Sequence, residues 1–172
     1  MKAAIEQALA VLVGLPMWAA GRAATIHWFA FGDSHEATDL RGEVRTVGEY
    51  ALHIQCMWHL AGPTGIIVAS DDRYFAAGDE PLQTDDDWDW DRQGMNRCDE
   101  RMAAFCAARA ANPPIVTAIA ADNLGGIQLS LDDDLVLAAF LANSLDLEHW
   151  RLLQPWNHQH DHFVVSGAGI EE

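Results

Sequence analysis

Lysine is almost absent from this sequence, and its absence restricts the chemistry that the protein can perform. Lys2 is the only lysine among 172 residues, and lysine plus arginine number 10 against 26 aspartates and glutamates, so the formal net charge is -16. Schiff-base chemistry and a lysine clamp on phosphate are therefore disfavoured. The negative field repels phosphate backbones, which predicts that nucleic acid is not a partner, whereas a basic protein would be attracted.

Signatures of common enzymes are missing as well. The chain contains no G-x-x-x-x-G-K, no G-x-S-x-G and no G-x-G-x-x-G after a predicted strand. Cys56 with His53 or His59 is the one nucleophilic pair to consider, but both histidines fall on the opposite face of the predicted strand, and a buried thiol is usually inert. We expect a non-catalytic protein that uses no cofactor.

Cysteine is scarce, and its three copies do not form a C-x-x-C pair. An odd number without regular spacing does not predict a disulfide framework. Two of the three, Cys56 and Cys98, fall where an apolar core residue would fit. We interpret all three as reduced thiols in a cytoplasmic protein.

The N-terminal region has the one apolar stretch that resembles a targeting segment, residues 8–20. It is interrupted by Gly14 and Pro16 and is shorter than the roughly 20 residues that a membrane-spanning helix needs, so no membrane association is predicted. Glu6 offsets Lys2 where a secretory signal would be basic, which favours an amphipathic helix over the alternative of a cleaved signal peptide. The helix presents one apolar stripe, formed by Ile5, Leu9, Leu12 and Val13.

Alternation of apolar and polar residues predicts strands along most of the chain. The clearest case is Tyr50–Leu60, in which the even-numbered residues, Cys56 among them, face a core; we expect this strand to be central. A second strand, Thr25–Phe31, is predicted to place Ile26 and Trp28 on one face. Residues 135–141 fit a buried strand or a short helix equally well. Further strands are predicted at Ile66–Ser70, from Ile115, at Ile127–Leu131, His149–Leu153 and Phe163–Ser166.

A second helix is predicted after Asn96, which is placed as an N-cap with Asp99 and Glu100 in the first turn. Its apolar stripe is formed by Cys98, Met102, Phe105 and Cys106. This order of elements predicts an α+β fold: a single domain over residues 1–172, with a mainly antiparallel sheet of about seven strands and an N-terminal helix and one central helix packed on one face of it.

An acidic segment, residues 71–91, carries nine acids and a single base, Arg73. Within it, the rings of Trp88 and Trp90 stand between aspartates. Aromatic rings flanked by carboxylates are a plausible site for binding an arginine-rich protein partner. The alternatives are that the rings fold back onto the sheet and that the acids only keep the protein soluble. The predicted partner-binding residues are Asp85, Asp86, Asp87, Trp88, Asp89, Trp90 and Asp91.

Two segments have partial metal-ligand spacing. His158, His160 and His162 resemble part of the H-x-H-x-D-H motif of metallo-β-lactamase-like hydrolases, but the motif is one residue short and only ten residues follow it. The loop from Asp89 to Glu100 has the acids of a calcium loop at positions 1, 3 and 12, although its fifth and eighth positions do not fit. We expect no metal; a metal- or small-ligand-binding protein that uses the three histidines is the alternative.

Four stretches of the chain are similar to a family of bacterial proteins to which no activity is attached: residues 48–56, 87–91, 96–100 and 162–167. In size and charge the chain also resembles the immunity proteins of contact-dependent growth inhibition, which neutralise a cognate, often basic, toxin. The second resemblance implies a non-catalytic acidic binding protein, an immunity or antitoxin protein of the bacterial cytoplasm whose partner is a basic toxin.

Overall fold

Two antiparallel sheets make up most of the protein. The structure is a computed structural model that describes residues 1–38, 42–78, 88–157 and 159–171. The helices among these residues are α1 (Lys2–Leu9), α2 (Arg97–Arg109) and two short 3-10 helices, Ala10–Leu12 and Ser70–Tyr74. The strands are β1 (Met17–Ala23), β2 (Ile26–Thr38), β3 (Val44–Ile54), β4 (Met57–Gly62), β5 (Gly65–Ala69), β6 (Val116–Ala121), β7 (Ile127–Leu131), β8 (Val136–Phe140), β9 (Glu148–Leu153), β10 (Phe163–Ser166) and β11 (Gly169–Ile170).

The larger sheet has the strand order β1-β2-β3-β9-β10-β11, and the smaller one has the order β5-β4-β8-β7-β6. Every pair of neighbouring strands is antiparallel. The prediction of an α+β fold with antiparallel strands is confirmed. The prediction of one sheet of about seven strands is wrong, because the described part of the chain forms eleven strands in two sheets.

The chain passes from one sheet to the other at Gln55 and Cys56. The prediction of a single strand over Tyr50–Leu60 is therefore wrong: β3 ends in the larger sheet and β4 begins in the smaller one. The backbone N–H groups of Gln55 and Cys56 both donate to the carbonyl oxygen of His149, at 2.7 and 3.1 Å. Even-numbered side chains still face the core on both sides of the break, so the alternation continues without interruption: Leu52, Ile54, Cys56, Trp58 and Leu60 are buried.

One hydrophobic core fills the space between the sheets. Phe29 of the larger sheet meets Trp58 of the smaller sheet edge to face, with the ring centroids 5.1 Å apart. In β2, Ile26 and Trp28 lie on one face of the strand, as predicted. His27, Phe29 and Phe31 are buried, whereas Ile26 and Trp28 are half-buried on the other face. This strand carries apolar residues on both faces, so the sequence did not distinguish them.

The two helices close different sides of the molecule, and they do not share one face as predicted. α2 lies against β1 and β5, the edge strands of the two sheets, while α1 lies against β6 at the other edge of the smaller sheet. The N-cap prediction for α2 is confirmed, since the side chain of Asn96 accepts a hydrogen bond from the Asp99 N–H at 2.8 Å. Residues 135–141 form a strand, β8, and no described helix is long and apolar enough to cross a membrane.

Candidate functional site

The loop before α2 is organised around Arg22, a β1 residue whose side chain is completely buried. Its guanidinium donates two parallel hydrogen bonds to the carboxylate of Asp99, at 3.0 and 2.9 Å, and a third to Asp91 at 3.0 Å. It also donates to the backbone carbonyl of Ala24 at 2.9 Å. Bidentate pairing of this kind is strong and directional. Residues 91 and 99 are therefore held at fixed positions relative to the larger sheet.

Asp99 accepts further hydrogen bonds that secure the rest of the loop. The Gly94 N–H donates to it at 2.9 Å and the Asn96 side-chain amide at 3.1 Å; that amide also donates to the carbonyl of Trp90 at 2.8 Å. Burial by itself would raise the pKa of Asp99, but the hydrogen bonds from Arg22 and Gly94 outweigh it, so the pKa lies below its usual range. The loop is thus closed over an internal ion pair.

This geometry explains the partial calcium-loop spacing. Of the three acids with this spacing, Asp91 is the one that contacts the Arg22 guanidinium directly. Asp89 turns away and accepts a hydrogen bond from the Asp91 backbone N–H at 2.9 Å, and Glu100 accepts one from the Gly78 N–H at 2.9 Å. The three acids therefore do not converge on one point.

A partly exposed cluster of aromatic residues lies where this loop meets the 3-10 helix Ser70–Tyr74. Trp90 lies 5.9 Å from the Tyr74 ring, and the guanidinium of Arg73 lies 6.0 Å from the Trp90 centroid. Trp88 is half-buried and donates from its indole nitrogen to the Met95 carbonyl at 3.1 Å. Backbone hydrogen bonds hold the segment 75–77 beside residues 95–97.

Together these residues form what we call the acidic aromatic surface. Tyr74, Phe75 and Met95 are 48%, 42% and 38% exposed, so each presents a large apolar side chain to solvent. The exposed carboxylates of Asp71 and Asp89 flank the cluster. Its members are Asp71, Tyr74, Phe75, Trp88, Asp89, Trp90, Asp91 and Met95.

The predicted partner-binding residues are only partly present in this surface. Asp85, Asp86 and Asp87 lie outside the described residues. Trp88 and Trp90 are half-buried. Trp88 donates to the Met95 carbonyl, while Trp90 lies against Tyr74, Arg73 and Arg22, the last of which belongs to β1 at the edge of the larger sheet. Tyr74, Phe75 and Met95 were not predicted. Their large side chains could have been noticed, since Tyr74 and Phe75 lie inside the acidic segment and Met95 follows it closely.

The C-terminal histidines lie elsewhere, at a cleft of about 320 Å³. His158 is outside the described residues. His160 and His162 are exposed; the Nδ1 of His160 is 2.9 Å from the Asp161 carbonyl oxygen, and that of His162 is 3.5 Å from Arg151 Nη1. Within the described ranges no three His, Cys, Asp or Glu side chains are placed to hold a metal ion. The remaining wall of the cleft is mainly apolar, formed by Ala8, Val11, Tyr50, Leu152, Leu153 and Phe163.

All three cysteines are free thiols, as predicted. Cys56 and Cys98 are buried, and burial raises the pKa of each to about 12. Both thiols therefore stay protonated at neutral pH, and neither is activated as a nucleophile. Cys106 is half-buried, and burial raises its pKa as well.

Comparison of the chain with protein-family models, with curated proteins and with solved structures finds no match. The resemblances to a bacterial family and to immunity proteins stay predictions.

Proposed function

We propose that this protein is a non-catalytic binding protein that engages a basic protein partner through the acidic aromatic surface. The specific form that we propose is an immunity or antitoxin protein of the bacterial cytoplasm, which neutralises a basic toxin by covering its cationic site. The observation that carries the proposal is the exposure of Tyr74, Phe75 and Met95 beside two tryptophans in the most acidic part of the chain.

The composition of the surface supports a protein partner. Tyr, Trp, Phe and Met are enriched in the centres of protein interfaces, and binding energy is concentrated in a few such side chains. A protein without a partner gains nothing by leaving these rings in water, because each exposed ring forgoes the favourable free energy of burial. The surrounding acids supply the polar rim and the preference for a basic partner.

The rigidity of the loop supports the same conclusion. Arg22, Asp99 and Asn96 hold the backbone of residues 90–96 in place before any partner arrives. A surface that is already ordered loses less conformational entropy on association, so more of the contact energy appears as affinity. The net charge of -16 would in addition accelerate the encounter with a cation-rich protein.

Kinetics of association with the product of the neighbouring gene test the proposal. Immunity genes adjoin their toxin genes, so the neighbouring product is the partner to try first. Replacing Tyr74 and Phe75 with alanine should speed dissociation, while Leu124→Ala, at an apolar position that is 77% exposed in the β6–β7 turn, is the matched control.

The cleft at His160 and His162 favours a second candidate function, the binding of a small ligand. Such sites combine an apolar wall with a few polar groups, as this one does with Tyr50, Leu152 and Phe163 facing the histidines. Equilibrium dialysis against zinc, repeated with His160→Ala and His162→Ala, tests the metal form of this proposal. Stoichiometric zinc that is lost in both variants would support it; unchanged zinc content would exclude these histidines as ligands.

A further inference from the structure

A second cavity, of about 460 Å³, adjoins the acidic aromatic surface at Arg73, whose guanidinium also lies over the Tyr74 ring. It lies where the start of β9 meets the β1–β2 turn and the crossing between the sheets. Its polar lining comes from Thr25, Gln55, Arg73, Asn143, Glu148 and His149. The volume is in the range of cavities that hold small molecules.

Arg73 gives this cavity a positive group without a counter-ion among the described residues. Its Nη2 donates to the Tyr74 hydroxyl at 2.9 Å and its Nη1 to the Thr25 carbonyl at 3.5 Å, whereas its buried Nε has no hydrogen-bond partner. The described ion pairs of this acidic protein use other arginines, notably Arg22, Arg97, Arg109 and Arg151. A guanidinium with unused donors is a good recognition group for an oxyanion.

Two other side chains of the cavity wall, those of His149 and Asn143, also have unused donors. His149 is only 2% exposed, and neither of its ring nitrogens has a hydrogen-bond partner in the described part of the chain. The Asn143 side chain accepts from the Leu145 N–H at 3.0 Å, and its amide nitrogen has no acceptor among the described residues. Asn143 is exposed, so the buried atoms without a partner are Arg73 Nε and His149 Nε2. An unpaired buried polar atom costs free energy, and a ligand with acceptor oxygens would recover it.

The single carboxylate of the wall is already neutralised. Glu148 lies 2.9 Å from the Arg151 Nε and accepts a hydrogen bond from the Gln55 amide at 2.8 Å. Of the two charged residues that line the cavity, Arg73 and Glu148, only Arg73 has no ion-pair partner among the described residues. Because fields of distant surface charges are screened over about 8 Å at physiological salt, the nearby guanidinium dominates for a small ion.

We propose that this cavity binds a small molecule carrying an oxyanion group, a phosphate or a carboxylate, on the guanidinium of Arg73. Thr25, Asn143 and His149 provide further donors around that group. Arg73 also contacts Tyr74 and Trp90 of the acidic aromatic surface, but the proposal concerns the isolated protein and does not require a toxin partner.

The test is a titration of the isolated protein with inorganic phosphate, and separately with acetate, at constant ionic strength, followed by two-dimensional NMR. We expect saturable shifts of the Arg73 Nε–H and of the backbone amides of residues 25, 55 and 149. Arg73→Gln should weaken binding at least about tenfold. Arg92→Gln, which removes the same charge from an exposed position, should bind as the wild type does.

Saturation by phosphate alone, or by acetate alone, identifies the ligand class. Asn143→Ala, at an exposed position, provides a second variant that does not depend on the packing of Arg73 and should also weaken binding. Shifts that stay linear up to roughly 50 mM of both anions, or equal affinities of Arg73→Gln and Arg92→Gln, would overturn the proposal.

Discussion

Arg22 and Asp99 are 77 positions apart in the chain, yet their side chains form two parallel hydrogen bonds of 3.0 and 2.9 Å in the interior of the protein. The pair connects β1 to the first turn of α2 and holds the loop before α2 in place. Because Arg22 is fully buried, the loop cannot open without exposing an unpaired charge to the core or bringing water to it. The shape of the proposed binding surface thus depends on residues outside the acidic segment.

Removing one member of the Arg22–Asp99 ion pair should therefore lower the stability of the folded protein. Asp99→Asn leaves the buried guanidinium with only the partly exposed Asp91, and we expect it to lower the free energy of unfolding by about 3 to 5 kcal/mol. Asp133→Asn, which breaks the exposed pair with Arg109, should cost less than about 1 kcal/mol. Urea unfolding of the two variants measures the difference, and equal losses would contradict the structural role of Asp99.

Stability should fall as the solution becomes acidic, because His27 is buried as a neutral ring. Burial lowers its pKa from 6.5 to about 3, so the unfolded state binds more protons than the folded state between those values. The free energy of unfolding then drops by up to about 1.4 kcal/mol for each pH unit of acidification within that window. Unfolding at several pH values measures the slope.

His27→Phe is the variant that isolates this contribution. The difference in stability between wild type and His27→Phe should shift steadily in favour of the variant as the pH falls from about 6.5 to about 3. Burial also lowers the pKa of His53, to about 4, so His53→Phe should give a narrower window that ends there. A difference for His27→Phe that does not change with pH would show that the ring has the same pKa in the folded and unfolded states, which contradicts its burial as a neutral group.

Leucines at the predicted inward positions should be essential to the core. Leu52 is completely buried in β3, and truncation to alanine should cost about 2 to 5 kcal/mol because it leaves a cavity. Leu147→Ala is the matched control, since that leucine is 59% exposed. Thermal or urea unfolding compares them; a loss at Leu52 no larger than at Leu147 would place residue 52 outside the core.

The thiols should react slowly in the native state. Cys56 and Cys98 are buried with a pKa of about 12, so very little thiolate is present at neutral pH. Ellman's reagent should modify them only after denaturant is added, when all three cysteines become accessible. Rapid labelling of Cys56 in native buffer would contradict the burial of the crossing between the sheets.

The sequence was informative where the determinants are local. The N-cap at Asn96 and the strand Phe163–Ser166 appear where short-range patterns predict them, because a capping side chain and an alternating apolar run act within a few residues. β1 was not predicted, since its Ala- and Gly-rich sequence has little strand character and follows a stretch that resembles a helix or signal.

The features that the sequence did not predict are contacts between residues that lie far apart in the chain. The crossing at Gln55 and Cys56 preserves the alternation of buried residues, so the sequence pattern is the same for one long strand and for two strands in different sheets. The pairing of Arg22 with Asp91 and Asp99 joins three separated segments, and no local pattern reveals it. For the same reason, Asp91 was predicted to face a partner although it also binds an internal arginine.

The central claim is tested most directly by the rates of binding to the product of the neighbouring gene, measured at two salt concentrations. Tyr74→Ala combined with Phe75→Ala should raise the dissociation rate at least about tenfold, whereas Leu124→Ala should not. Asp71→Asn with Asp89→Asn should slow association and flatten its salt dependence, whereas Asp33→Asn with Glu36→Gln, at exposed positions of β2, should change it less. Binding that none of these substitutions alters, or a neighbouring product that does not bind, would contradict the claim.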